Sequence, residues 1–379
     1  MKTHNYPQQR RGSVLVLATI LMIGLFGVLA LAVDLGYLMV ARTELQRTAD
    51  AAAIAGAWDL IDENALAGCV DPSYTAESAR GTAGQYAALN RVLTQSPSLA
   101  QEDVTVGYVP DPFSGSTELT VDVNNRVNAV QVNVRRAEGQ NGVVPLFFAR
   151  IFGIDQATSQ AQASAVLLAN FGGFSAPTSG QNLGILPFAL DRDTWEALLQ
   201  HVGGDDWTWD EEQGSVTSGP DGILEVNLFP QGTGSPGNRG TVDIGSNNNS
   251  TADIARQILE GISAEDLEYH GGSLEFDENA ELHLNGDTGI SAGVKDELEQ
   301  IKGESRIIPI FSQVVGPGNN ADYTIVQFAG IRIMEVKLTG KMSRKRVIIQ
   351  PANVVTHGGI AAVGDQVSHF VYSPVWLIR

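Results

Sequence analysis

A single cysteine, Cys69, stands in a chain of 379 residues. One thiol can close no internal disulfide and build no cysteine-based zinc site, so stability outside the cytoplasm has to come from packing alone. Positive charge is also scarce: 24 Lys and Arg face 43 Asp and Glu, for a formal net charge of -19. That balance argues against nucleic acid, because phosphate binding needs clustered Lys and Arg. The six histidines (His4, His201, His270, His283, His357, His369) show no metal-ligand spacing. No Gly-x-Ser-x-Gly or Ser-x-x-Lys nucleophile motif is present, and no repeat of about 20–50 residues is apparent.

What the chain does have is an uncharged run from Gly12 to Val33, mostly Val, Leu, Ile, Ala, Met and Phe. As a helix it is long enough to cross a hydrocarbon layer of about 30 Å. Lys2, Arg10 and Arg11 precede it without an acidic residue, so the positive-inside rule puts the N-terminus in the cytoplasm and everything after Val33 outside. Ala30-Leu31-Ala32 also fits a small-x-small cleavage pattern. The run is longer than the roughly 7–15 apolar residues of a secretory signal, which favours a retained anchor.

The run does not end in a loop. Leu35, Leu38, Leu45, Ala49, Ala52 and Gly56 recur at three- and four-residue steps, with Arg42 between Leu38 and Leu45. Ala49, Ala53 and Ala57 follow at four-residue steps, small enough to let another backbone come close. No proline interrupts the stretch, and the lone Gly36 is tolerable. One helix from about Gly12 to Trp58 is expected. Its small-residue face either packs on its own domain or meets a related subunit.

The tract "RRGSVLVLATILMIGLFGVLALAVDLGYLMVARTELQRTADAAAIAGA" resembles the N-terminal module of TadE/TadG-like proteins of Flp (Tad) pilus assembly. The shared features are Arg10-Arg11-Gly12 before the apolar run, Val-Asp34-Leu-Gly36 at its end, and the Leu45-to-Gly56 helix containing Asp50. "NAVQVNVRR", "PLFFARIFGID" and "ATSQAQASAVLL" are similar to segments that follow in such proteins, and the tract from "SPGNRGTVDIG" to "RIIPIF" looks like the distal half of many of them. The resemblance implies a bitopic inner-membrane protein that helps to build or anchor an adhesive pilus. Other assembly subunits or pseudopilins would be its partners, with no enzyme activity, no cofactor and no small-molecule substrate. Pilin-like members are cut after a glycine and carry a glutamate soon after it. Here Gly12 could mimic the glycine, but Leu17 stands where the acid would be. The metal-binding Asp-x-Ser-x-Ser motif of some TadG-like members is not matched, "DIGSNNNS" having the wrong spacing.

Beyond residue 60 the chain reads as α+β. The expected layout is a cytoplasmic 1–11, a membrane helix 12–33, its continuation 34–60, a first α+β domain 61–171 and a second 181–379. A helix from Ser73 or Thr75 to Leu93 is expected, and "DVTVGYV", "STELTVDV" and "NAVQVNVRR" alternate as antiparallel strands do. Pro145 and Gly153 bracket a short helix, "PLFFARIFG", while "ATSQAQASAVLLA" is ambiguous between strand and helix. The polar stretch "NFGGFSAPTSGQN" separates the halves. Further on, Asp191 or Asp193 caps "TWEALLQHV", Ser250 or Thr251 caps "ADIARQILEGI", and Thr288 caps "GISAGVKDELEQI". "SRIIPIFSQVV", "YTIVQFAGIRIMEVKLTG" and "RVIIQPANVV" are dense in β-branched residues and point to a central sheet.

Three clusters invite a site. Asp205, Asp206, Asp210, Glu211, Glu212 and Asp221 crowd one stretch, as hard cations require, but without EF-hand spacing; a solvated acidic loop is the simpler reading. "LNGDTGISAG" puts glycines before a helix start but lacks the lysine of a P-loop. Lys337, Lys341, Arg344, Lys345 and Arg346 form a basic island that either meets an acidic partner or lipid, or guards the edge of a sheet. A calcium- or polymer-binding envelope protein unrelated to pili is therefore the second reading.

Overall fold

The computed structural model describes residues 13–68, 72–120, 126–229, 239–287, 289–316, 320–362 and 368–378. Arg10, Arg11, Gly12, Cys69, the expected cap Thr288 and the end of "STELTVDV" lie outside them. Helix α1 runs without a break over Ser13–Trp58, 46 residues, a length of about 70 Å at about 1.5 Å per residue. The chain forms two compact units whose sequences interleave. The first is Met1–Gly56, Arg80–Thr105 and Val130–Ser164; the second is Ala57–Ala79, Val106–Ala129 and Ala165–Arg379.

Helix α1 changes character along its length. From Val14 to Val33 its large apolar side chains are 52 to 74% exposed. Thr19 donates its hydroxyl to the Leu15 carbonyl at 2.8 Å, which leaves no free hydroxyl on that stretch. From Asp34 onward one face is buried, through Asp34, Ala41, Leu45, Thr48, Ala49, Ala52 and Ala53, while Arg42, Thr43 and Arg47 stay exposed. Helix α2 (Pro72–Leu89) buries Ala79, Ala83 and Ala87 at four-residue steps. It ends at Leu89, short of the expected Leu93, which with Thr94 takes positive φ (+49° and +74°) in the tight turn bridged by Val92 and Gln95.

Strands β1 (Val104–Gly107) and β2 (Ala129–Arg136) come next, then the short antiparallel pair β3 (Val144–Pro145) and β4 (Gln156–Ala157), then β5 (Ser159–Val166). β1, β2 and β5 lie side by side in that order. The ambiguous "ATSQAQASAVLLA" is thus a strand. "PLFFARIFG" is not a helix from Pro145: that proline sits in β3, and only Ala149–Phe152 makes a 3-10 turn.

The second unit carries β6 (Phe171–Ser175), β7 (Phe188–Asp191), α3 (Arg192–Leu199), the hairpin β8 (Trp207–Asp210) and β9 (Ser215–Ser218), then β10 (Val226–Asn227), β11 (Arg239–Val242), α4 (Thr251–Glu260), α5 (Ala264–Glu268), β12 (Ser273–Glu275), β13 (Leu282–Asp287), α6 (Lys295–Gln300), β14 (Ser305–Val315), β15 (Ala321–Lys337) and β16 (Arg346–Pro351). Part of the polar "NFGGFSAPTSGQN" forms β6, paired on one side with β12 and on the other with Gly359–Ala361.

The large sheet runs β10-β16-β15-β13-β11-β7-β14, and β14 also pairs with β15. Five strands therefore close into a small barrel in which only the β7–β14 contact is parallel. Side chains at Ile308 and Ile310 enter one core with Trp195, Leu198, Ile254, Ile258 and Leu298 of α3, α4 and α6. Those at Ile307 and Phe311 enter another with Phe174, Leu274, Leu284 and Tyr323. Burial on both faces explains why β14 and β15 read as nearly continuous apolar runs. Helix α3 is capped by Asp191, and α4 by a reciprocal Ser250–Asp253 box.

Candidate functional site

In the first unit, β3 and β4 form a neck that pinches off residues 146–155, and the Leu146 amide donates to the Asp155 carbonyl at 3.0 Å. Beyond the neck the chain is Leu146-Phe147-Phe148-Ala149-Arg150-Ile151-Phe152-Gly153-Ile154, a finger with one charge and one glycine among apolar groups. Gly153 closes the 3-10 turn with φ +81°, a conformation that favours glycine, and its amide bonds back to Ala149 and Arg150 carbonyls.

Asp34 holds this finger to α1. Its carboxylate accepts the backbone amides of Phe147, Phe148 and Ala149 at 2.8, 2.9 and 2.6 Å. Burial opposes ionisation of this carboxyl, but the three amide donors and the nearby Arg150 charge outweigh it and hold the pKa below the ordinary Asp value. Arg150 turns back to donate Nε and Nη2 to the Leu146 carbonyl at 3.1 and 2.9 Å. The Tyr37 ring meets Phe147 edge-on, 5.2 Å between centroids. Phe148, Ala149, Ile151 and Phe152 then face the Ile23-to-Val33 stretch of α1 across an apolar groove of about 520 Å³.

The other motif residues on α1 serve packing. Leu45, Ala49, Ala52 and Ala53 are wholly buried, and Gly56 is buried too, whereas Gly36 is exposed with open space around it. The small-residue face is therefore covered by this same chain. That corrects the alternative in which it is free to receive a related subunit. Asp50 accepts the Gln46 side-chain amide at 2.8 Å, and Gln46 also donates to the Gln162 carbonyl at 3.1 Å. Glu44 accepts the amide of Leu93, one of the two positive-φ residues, at 2.7 Å. Arg136, buried at the end of β2, donates to the carbonyls of Val92, Gly142 and Val143 at 3.2, 2.9 and 3.2 Å.

The basic island occupies the β15–β16 hairpin. Lys337 and Arg346 face each other across the strands, with Lys341 and Arg344 exposed in the connection. Arg346 is paired with Glu335, and Lys345 lies over the Phe229 ring at 5.9 Å. In the acidic stretch the carboxylates of Asp205, Asp210 and Asp221 bind backbone amides. Asp205 accepts from Asp221 and Gly222 at 3.0 and 3.2 Å, and Asp210 from Gln213 at 2.9 Å. Among the described residues no group of three His, Cys, Asp or Glu side chains is placed to hold a metal ion.

Of the residues expected to matter, the structure brings Asp34 into a specific contact within the first unit, while the basic and acidic clusters belong to the second. The sequence marks "PLFFARIFG" only as a short helix and "NAVQVNVRR" only as a strand, with no sign of the contacts that the finger and Arg136 make. The available signal was "PLFFARIF", too apolar for a loop that only connects two strands.

Residues 12–59 match the family described as Flp pilus-assembly TadE/G-like, and residues 55–165 match the one described as Tad-like Flp pilus-assembly. The two matches meet within α1 and directly support a Tad-like Flp pilus-assembly family for this chain, over the span that includes Asp34, the finger and Arg136. No curated protein and no solved structure matches the chain. The family supports a role in Flp/Tad pilus assembly, and the one long apolar helix among the described residues fits a single-pass membrane anchor.

Proposed function

We propose that this chain is a non-enzymatic, single-pass factor of Flp/Tad-type pilus assembly. In this reading residues 12–33 span the inner membrane, the N-terminus is cytoplasmic, and the body lies in the periplasm or outside, where it meets other assembly subunits or pseudopilins. The observation that carries it is the continuity of α1. An exposed apolar half passes without a break into a half locked to the first unit by Asp34, Glu44 and a buried alanine face. An anchor built that way holds the first unit at a set distance and orientation from the bilayer, which a flexible tether would not do. Because the alanine face is used internally, contacts with partners fall to other surfaces.

The test is deletion of the gene, scored for surface pili by electron microscopy. It is complemented either with the whole chain or with residues 34–379 behind a cleavable secretion signal. Whole-chain rescue with failure of the soluble form supports an anchored assembly role. Normal piliation in the deletion strain would remove that role.

A further inference from the structure

We propose that the finger at residues 146–154 inserts into the lipid of the outer leaflet beside the membrane helix, giving the protein a second contact with the bilayer. This rests on the reading of residues 12–33 as a membrane span. Three observations carry it. The first is depth. The groove shared by finger and helix extends from Val33 to Ile23, ten residues or about 15 Å along the axis, which is about half of a hydrocarbon layer of about 30 Å. A bilayer that covers the exposed helix from Val14 to Val33 reaches the finger as well.

The second is composition. Ile151 and Phe152 are 77 and 78% exposed at the tip, and Phe147, Phe148 and Ile154 are exposed beside them. This apolar surface is continuous with that of the helix, and such a patch needs an apolar partner. The occupant that this continuity identifies is acyl chain.

The third is the hydrogen-bond balance. Irregular backbone is excluded from hydrocarbon because bare N–H and C=O groups have no water there. In the finger the amide of Leu146 is bonded to Asp155, those of Phe147, Phe148 and Ala149 to Asp34, that of Ile151 to Phe148, that of Gly153 to Arg150 and that of Ile154 to Ala149. Arg150 spends its guanidinium on the Leu146 carbonyl and lies close enough to Asp34 for attraction. Arg150 and Asp34 thus offset each other, each also satisfying backbone, and the exposed Asp155 stands at the neck next to the body.

The experiment uses full-length protein carrying Cys69→Ser and one added cysteine, spin-labelled in phosphatidylethanolamine–phosphatidylglycerol vesicles. Labels go at Ile151→Cys and Phe152→Cys in the finger, Ile20→Cys in the span and Glu212→Cys on an exposed turn of the body. Collision with oxygen, which enters lipid, is compared with collision with a water-soluble nickel chelate. The expected oxygen-to-nickel ratio at both finger positions is close to that at Ile20→Cys and many-fold above that at Glu212→Cys. A water-like ratio in the finger with a lipid-like ratio at Ile20→Cys overturns the insertion and leaves the anchor intact. A water-like ratio at Ile20→Cys removes the span itself, and the insertion with it. Finger labels shielded from both reagents overturn the lipid assignment in favour of a protein cover, such as a second copy.

Discussion

The amide nitrogen of Ala149 lies 2.6 Å from a carboxylate oxygen of Asp34, across 115 residues of chain. With the Phe147 and Phe148 amides on the same carboxylate, this contact ties the root of the finger to the point where α1 turns from exposed to one-sided. Asp34→Ala removes the acceptor for all three donors. Hydrogen exchange at Phe147, Phe148 and Ala149, corrected for intrinsic rates, is expected to rise sharply, while amides within β2 stay protected. Because the folded pKa lies below the ordinary value, the Asp34 contribution is complete above the usual carboxylate range and disappears as pH falls through the folded value. Wild-type protection at these amides should therefore drop in acid and approach the Asp34→Ala level. Equal protection in both proteins at neutral pH would refute the tether.

The alanine face yields a second prediction. Ala49 and Ala53 are wholly buried, so each leucine inserted there overpacks the first unit and should cost about 1–3 kcal/mol. A leucine at exposed Gly36, where nothing lies within 4 Å, should not destabilise α1, because it replaces a glycine in a helix. Thermal melts of the full chain in detergent separate the two. Unchanged melting with Ala49→Leu and Ala53→Leu together would mean that the face is open in solution and available to a partner.

How much of this was legible follows from how local each signal is. The Ser250–Asp253 cap of α4 and the Asp191 cap of α3 lie within a few residues of the helices that they start, and both can be read directly. β14 and β15 are visible because burial on both faces enriches them in β-branched and aromatic residues. The alanine stripe is visible as a stripe, but nothing in its spacing says whether the same chain or another covers it. The Asp34–Ala149 contact is the opposite extreme. Asp34 reads as an acid at the end of an apolar run, and its partners are backbone amides, which carry no residue identity. The ring closure between β14 and β15 likewise depends on pairings that no local pattern encodes.

Arg136 supports a third prediction. Its buried guanidinium reaches three carbonyls from two segments, including Val92 beside the residues held by Glu44. Lysine has one nitrogen where arginine has three, so Arg136→Lys leaves buried carbonyls without donors and should destabilise by about 1–3 kcal/mol. Arg136→Met, which leaves none of them a donor, should cost at least as much. Chemical denaturation followed by circular dichroism measures both. A loss confined to methionine would show that charge alone suffices.

The second unit contains its own titration test. Asp243 is buried and accepts the Asn249 amide at 2.9 Å and the Asn285 side-chain amide at 3.1 Å. Desolvation dominates and the Asp287 charge adds to it. Together they outweigh those two hydrogen bonds and push the pKa up to about 6. A folded pKa above the unfolded value means that protonation favours the fold, so this group's contribution grows as pH falls from about 6 towards the ordinary Asp value and is lost above about 6. Asp243→Asn cannot ionise and removes that slope. Measured against wild type by denaturation at pH 4.5 and pH 7.5, the variant should look relatively better at the higher pH, by on the order of 2 kcal/mol. Parallel pH profiles for the two proteins would mean that Asp243 ionises in the fold as it does in the unfolded chain, and that water or a cation reaches it.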